Sequence, residues 1–225
     1  MLLRGIDQLI SDPVAFLIQL LALLAALLVG ITVHEFSHAL AARSLGDSTA
    51  ERLGRLSLNP KAHLDPLGSI MLLVAGFGWG KPVPVDPSRL RGGRQGMAIV
   101  SLAGPVSNVV TAALLAIPFK AGLLAQSTGG PGGELAAFLL LVVVINLVLA
   151  AFNLIPLSPL DGFKVAVGLL PRDMARALAR IEPYGPIVLL LVIMVDILAG
   201  YGILWRIIGP VVNSLARVLL GQGVL

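Results

Sequence analysis

Twenty-one consecutive residues, 13–33, carry no charged side chain, and no proline interrupts the chain between Val14 and Leu45. A run of that length and polarity crosses a bilayer as a helix. Asp12 followed by Pro13 supplies an N-cap and a first helical residue, so one helix is expected over 13–45. At ~1.5 Å per residue its 33 residues reach ~50 Å, well beyond the ~30 Å of hydrocarbon. The helix must tilt, bend near Gly30 or project beyond the lipid. The run leads straight into HEFSHALAAR with no small-residue cleavage site, which argues against a removed signal peptide.

Three later runs, roughly 97–119, 135–156 and 184–205, are also long enough to span. Only 12% of the 225 residues are charged and mean hydropathy is +0.95, whereas a soluble domain carries about a quarter charged. The fold class expected is an all-α membrane protein, a polytopic helical bundle of about four to six membrane helices in one domain, 1–225. Residues 1–12 suit an interfacial helix, with Arg4, Asp7, Gln8 and Ser11 on one face and leucines and isoleucines on the other. Residues 67–80 are apolar but too short to span. Their glycines and β-branched and aromatic neighbours suggest a small re-entrant or β-like element over about 67–86, ending in the extended KPVPVDP. Arg206, Asn213 and Arg217 share a narrow arc, so 206–225 is expected as an interfacial tail kinked at Pro210.

The basic residues test this map. With helices 13–45, 97–119, 135–156 and 184–205 as spans, twelve Lys and Arg fall on the side of the 46–96 and 157–183 loops and four on the other. That bias places those loops in the cytoplasm, at the cell membrane of a prokaryote. The net charge of +4 is therefore read as topology, and no nucleic-acid partner is expected.

Glu35, Asp161 and Asp196 fall in or beside apolar spans, where ionisable groups are costly and usually functional. With no cysteine in the chain, a transition-metal site must use imidazole and carboxylate. His34 and His38, at i and i+4, lie one above the other on a helix and can present nitrogens to one tetrahedral ion. Glu35 is turned by about 100°, so it does not compete for the metal but reaches the water beside it and can take its proton. The bland alternative is a pair of histidines hydrogen-bonded inside a bundle. A catalytic zinc site needs a third ligand and an open position. His63, in a polar loop, and Asp161, in NLIPLSPLDGFK after the 135–156 helix, are the candidates. His63 has loop ordering as its alternative role, and Asp161 has helix capping. Asp196 has no assignment.

Four motifs occur in order: HEFSH, NPKAHLDP, SLAGPVSN and NLIPLSPLDG. Together they resemble the site-2 protease family of intramembrane zinc metalloproteases, from about residue 34 to residue 170. The resemblance implies zinc held by His34, His38 and Asp161, one ion per chain, with Glu35 as general base. It also implies Asn108 and Asn153 as site-supporting or substrate-binding amides. Relatives often follow the LDG motif with a small residue and arginine; Phe163 and Lys164 stand here. No room is left for the PDZ or regulatory domains of larger members, which makes this chain look like a minimal core.

The expected reaction is hydrolysis of a peptide bond in or near a transmembrane helix, with single-span membrane proteins as substrates and the bilayer as surroundings. A substrate helix satisfies its own amides, so it must be unwound before attack. The 67–80 segment and KPVPV offer a strand edge for the unwound stretch. A zinc transporter is the alternative; it explains buried ligands but gives no specific need for Glu35.

Overall fold

The computed structural model describes residues 10–75, 80–124, 133–221 and 223. Most of the expected 1–12 helix and the GGPGG loop therefore lie outside the described residues.

Helix α1 runs from Pro13 to Ser44, opened by Asp12, whose carboxylate accepts the Ala15 amide at 3.0 Å. A short turn, α2 (Thr49–Arg52), and helix α3 (Pro66–Ala75) follow. The long helices α4 (Arg94–Lys120) and α5 (Gly133–Asn153) come next. The short helices α6 (Asp161–Leu169) and α7 (Arg172–Arg180) precede α8 (Gly185–Ala199) and α9 (Ile203–Leu220). The helices α1, α4, α5 and α9, and the run Arg172–Ala199, are each long and apolar enough to cross a membrane. Large apolar residues point outward along these helices, among them Leu17, Ile18 and Leu21 on α1 and Val110, Leu114 and Ile117 on α4. In water such faces would be a liability; in hydrocarbon they are the expected surface. This is a multi-pass, all-helical membrane protein, as the apolar runs predict.

Helices α1, α4 and α5 pack against one another, and α6 lies along α4. Small residues let them approach. A methyl group on Gly30 would sit 2.6 Å from Leu149 of α5, and one on Gly168 would sit 2.3 Å from the Ala98 side chain of α4. A larger residue at Gly168 would drive α6 from α4, whereas at Gly30 the end of the Leu149 side chain must give way. The main apolar core joins Ala112 and Ala116 of α4, Val143 and Leu147 of α5, and Ile208, Val212, Ala216 and Leu220 of α9.

That core changes the expectation for the C-terminal segment. Its apolar residues recur every four positions and are buried against α4 and α5, so α9 is a docked member of the bundle and long enough to cross. Arg206 and Arg217 are exposed on the same helix, to one side of its buried face. Residues 66–75 also differ from a sheet-like reading. Asp65 accepts the Gly68 amide at 2.8 Å and Pro66 occupies the first turn, so the segment starts as a helix. At ten residues it is too short to span, which leaves the re-entrant alternative. Among the described residues the β-like component is one antiparallel bridge, Leu64 to Gly80; residues 76–79 of the expected element lie outside them.

The 45–93 loop is tied to the end of α1 by buried polar groups. Asp47 accepts from the Thr49 amide and hydroxyl and, at 2.7 Å, from the Asp86 amide. The Arg91 amide donates to the Leu45 carbonyl at 2.8 Å, and the buried Arg55 guanidinium donates to the Lys81 carbonyl.

Asp196 finds its partner at the turn between α8 and α9. Gly200 and Gly202 adopt left-handed φ of 66° and 62°, and the Asp196 carboxylate accepts the Ile203 amide at 2.5 Å, closing the start of α9. Asp196→Ala is therefore expected to cost about 1 kcal/mol of stability, read as a lowered unfolding midpoint in detergent, with metal content unchanged.

Candidate metal centre

Near the C-terminal end of α1, one helical turn separates His34 from His38, and both are buried. Asp161 enters from the first residue of α6. It gets there because α5 stops at Asn153, where Pro156 and Pro159 forbid a continuous helix. The chain then folds back on itself at Gly162, where a methyl group would lie 2.3 Å from the Leu154 carbonyl. Asp161 Oδ2 lies 3.0 Å from His34 Nε2 and 3.2 Å from His38 Nε2. The three side chains form a group able to hold one metal ion. Tetrahedral ligands at zinc distances of about 2.0–2.2 Å stand roughly 3.3 Å apart, so the spacing fits.

The outer nitrogens explain why a cation is needed. His34 Nδ1 donates to Asn108 Oδ1 at 2.6 Å, and His38 Nδ1 donates to the Val100 carbonyl at 2.7 Å. A ring that binds metal in this arrangement carries its proton on Nδ1 and turns the Nε2 lone pair toward the ligand cluster. Three electron-rich atoms facing one another repel unless a cation sits among them. Asp161 offers Oδ2 as the third ligand atom, between the two Nε2 atoms.

Asn108 is held in turn. Its Nδ2 donates to the Gly30 carbonyl at 3.0 Å and to Asn146 Oδ1 at 2.9 Å, and Asn146 donates to the Val142 carbonyl at 2.8 Å. All the polar hydrogens of Asn108 are used, and it is fully buried. Its place is behind His34, not in the substrate space. Gly104 matters as much: a methyl group there would sit 2.5 Å from His38 Nε2 and 2.6 Å from His34 Nε2. The motif SLAGPVSN therefore keeps space for the metal with its glycine and orients a ligand with its asparagine. Asn146 and Gly104 carried no sequence signal of their own; an asparagine in an apolar run and a glycine beside a proline were the only traces.

A cavity of about 420 Å³ opens on the centre, lined by His34, Glu35, His38 and Asp161 and by apolar residues of α1, α5 and α8. Glu35 faces it one residue beyond His34. The extended stretch from Gly80 forms another wall through Pro82, Val83 and Val85. A methyl group on Gly80 would lie 3.1 Å from the His63 carbonyl and 3.9 Å from Glu35 Oε1. Asn153 lines the cavity while donating to the Leu149 carbonyl at 3.0 Å. Lys164 also lines it. His63 stands apart from the ligand group. It is fully buried, its Nε2 donates to the Ser57 carbonyl at 2.7 Å, and its own carbonyl accepts the Lys81 amide at 2.7 Å. That is loop ordering, beside the cavity wall.

Fold and site together define a membrane-embedded metalloprotein with a two-histidine, one-aspartate centre and an adjacent glutamate. The chain is 42% identical over 199 residues to "Putative zinc metalloprotease YwhC" of Bacillus subtilis, covering 85% of this chain and 86% of that protein. It is 32% identical over 196 residues to "Putative zinc metalloprotease Rip2" of Mycobacterium tuberculosis, covering 84% and 73% of the two chains. The Rip2 of Mycolicibacterium smegmatis is 31% identical over 191 residues, with 81% and 70% covered. Neither a protein-family model nor a solved structure matches. The chain belongs to the family of these zinc metalloproteases, the site-2 protease family that its four motifs resemble.

Two substitutions test the centre without touching a ligand. Asn108→Ala should lower zinc affinity by about 10–100-fold, because His34 loses the acceptor that fixes its ring; chelator competition measures it. Gly104→Ala should give protein with normal helicity by circular dichroism and little bound zinc by elemental analysis.

Proposed function

We propose that this chain is a zinc-dependent endopeptidase that cleaves peptide bonds in or next to the transmembrane helices of other membrane proteins, as in regulated intramembrane proteolysis. The observation that carries the reading is the pairing of an acceptor-only His34–His38–Asp161 cluster with Glu35 on one cavity between candidate spans. The relatives' names favour it over a zinc transporter.

When bound, zinc supplies Lewis-acid activation of water and of the scissile carbonyl. Glu35 takes the proton of the attacking water and passes it to the leaving amine. His34 and His38 are kept in register for this by Asn108 and the Val100 carbonyl. Apolar walls from Ile31, Val85, Met97, Leu149 and Phe152 receive side chains of the unwound substrate stretch. Asn153, with its carbonyl oxygen and amide on the wall, aligns the substrate backbone. The segment 80–86 gives the stretch a rigid extended neighbour. Its prolines, Pro82 and Pro84, offer no amide hydrogens, so strand pairing there draws on the carbonyls and on Val83 and Val85. The orientation that suits the count of basic residues puts the 46–96 and 157–183 loops, and water entry, on the cytoplasmic side of the cell membrane.

Glu35→Gln separates the readings. Purified full-length protein carrying it, reconstituted with a single-span substrate, is expected to keep stoichiometric zinc and lose cleavage by at least about a hundredfold. Cleavage at the wild-type rate with full zinc would refute the protease reading, and zinc flux into vesicles that survives the substitution would favour transport.

A further inference from the structure

Away from the metal centre, arginines gather where the short helix α7 leaves the bundle. Arg172, Arg176 and Arg180 stand at i, i+4 and i+8, so they form one stripe along α7. Arg94, the first residue of α4, approaches from the neighbouring helix. Arg94, Arg172 and Arg176 line a recess of about 300 Å³ together with Val167, Ala175 and Ala179. Three arginines from two helices on one small recess make a positive site that suits an anion. Asp173 lies 3.6 Å from Arg176, but both are largely exposed, at 94% and 73%, so this pair offsets little. Neither Arg94 nor Arg172 has an ion pair among the described residues.

The surroundings specify what kind of anion. Leu169 and Met174 are exposed apolar side chains at either end of the α6–α7 turn, and Ile181 is exposed just beyond α7. The segment sits where α4 begins and shortly before α8 turns back into the bilayer. A short helix with an arginine stripe and exposed apolar residues, at the polar start of the candidate span Arg172–Ala199, suits the headgroup layer. A basic recess between helices at that depth meets phosphodiesters.

We propose that Arg94, Arg172 and Arg176 form a binding site for one anionic phospholipid, its phosphate held by the guanidinium groups and its glycerol resting on Val167, Ala175 and Ala179. The lipid braces α7 against the start of α4. Because α7 follows directly on α6, which begins with Asp161, it also braces the segment that delivers the third metal ligand. This inference rests on the membrane fold and stands apart from the protease reading; neither falls with the other.

Native mass spectrometry of the full-length protein in mild detergent tests it, with phosphatidylglycerol and phosphatidylcholine of equal chain length as probes. Wild-type protein is expected to retain one phosphatidylglycerol about tenfold or more tightly than phosphatidylcholine. The triple variant Arg94→Gln, Arg172→Gln, Arg176→Gln should lose that preference, while Arg52→Gln, an exposed arginine elsewhere, should keep it. Equal affinity of the wild type for the two lipids overturns the proposal, and so does an undiminished preference in the triple variant. Should the triple variant fail to fold, Arg172→Gln alone, at an exposed position, is expected to weaken phosphatidylglycerol binding severalfold, and no change there overturns the proposal. Inorganic phosphate is the second probe: tight binding of free phosphate with no preference among lipids would assign the site to a soluble anion and also overturn it.

Discussion

Two imidazole lone pairs and a carboxylate oxygen, aimed at one point inside an apolar bundle, are the constraint around which this chain is arranged. Left to themselves they repel, and burial removes the water that would screen them. Every nearby glycine can be read from that point outward. Gly104 clears the space in front of both Nε2 atoms, Gly162 lets the broken end of α5 fold back, and Gly30 brings α5 close enough for the Asn108–Asn146 pair to bridge α1, α4 and α5. The unwound stretch after Asn153 exists to carry Asp161 across the bundle, a geometry that an uninterrupted helix would not provide.

The polar chain behind His34 has a second consequence. Buried amides in hydrocarbon are tolerable only when every hydrogen has an acceptor. Here Asn108 donates to the Gly30 carbonyl of α1 and to Asn146 Oδ1 of α5, and Asn146 donates to the Val142 carbonyl of its own helix. The same bonds that fix the imidazole therefore fix the register of three helices. Metal binding and helix packing are coupled, since a sliding helix would misplace a ligand.

Much of this was legible in the chain because hydrocarbon and metal each impose a coarse, periodic requirement. The uncharged run of 13–33 and the i, i+4 histidines needed only helical geometry to interpret. The third ligand needed more: spacing left His63 and Asp161 open, and the family resemblance pointed to Asp161, which α6 brings to the histidines. What escaped were features set by neighbours. The arc of Arg206, Asn213 and Arg217 suggested a helix lying in the interface, because a sequence shows a polar face without showing that Ile208, Val212, Ala216 and Leu220 have α4 and α5 to pack against. For about 67–86 the sequence left a re-entrant and a β-like element open. Over 66–75 the local N-terminal signal of Asp65 and Pro66 makes a short helix, and Leu64 pairs with Gly80 in a single bridge. Gly104 and Asn146 were invisible for the same reason: a close approach is a property of two helices, not of one.

The length of α1 sets where along the helix the ligands fall. From Pro13 to His34 is twenty-one residues, about 32 Å of helix at ~1.5 Å per residue, close to the full hydrocarbon thickness of ~30 Å. The lipid-facing residues Leu17, Ile18 and Leu21 occupy the first third of that path, and the buried His34 and His38 lie at its far end. Beyond them the helix meets the polar loop knitted by Asp47, Arg55 and Arg91. The ligands thus stand toward the loop end of α1, in a cavity with one wall, Gly80 to Val85, supplied by that loop. The cavity therefore joins apolar walls from the helices, Ile31, Leu149 and Phe152, to the ligand side chains and to the extended segment of the loop.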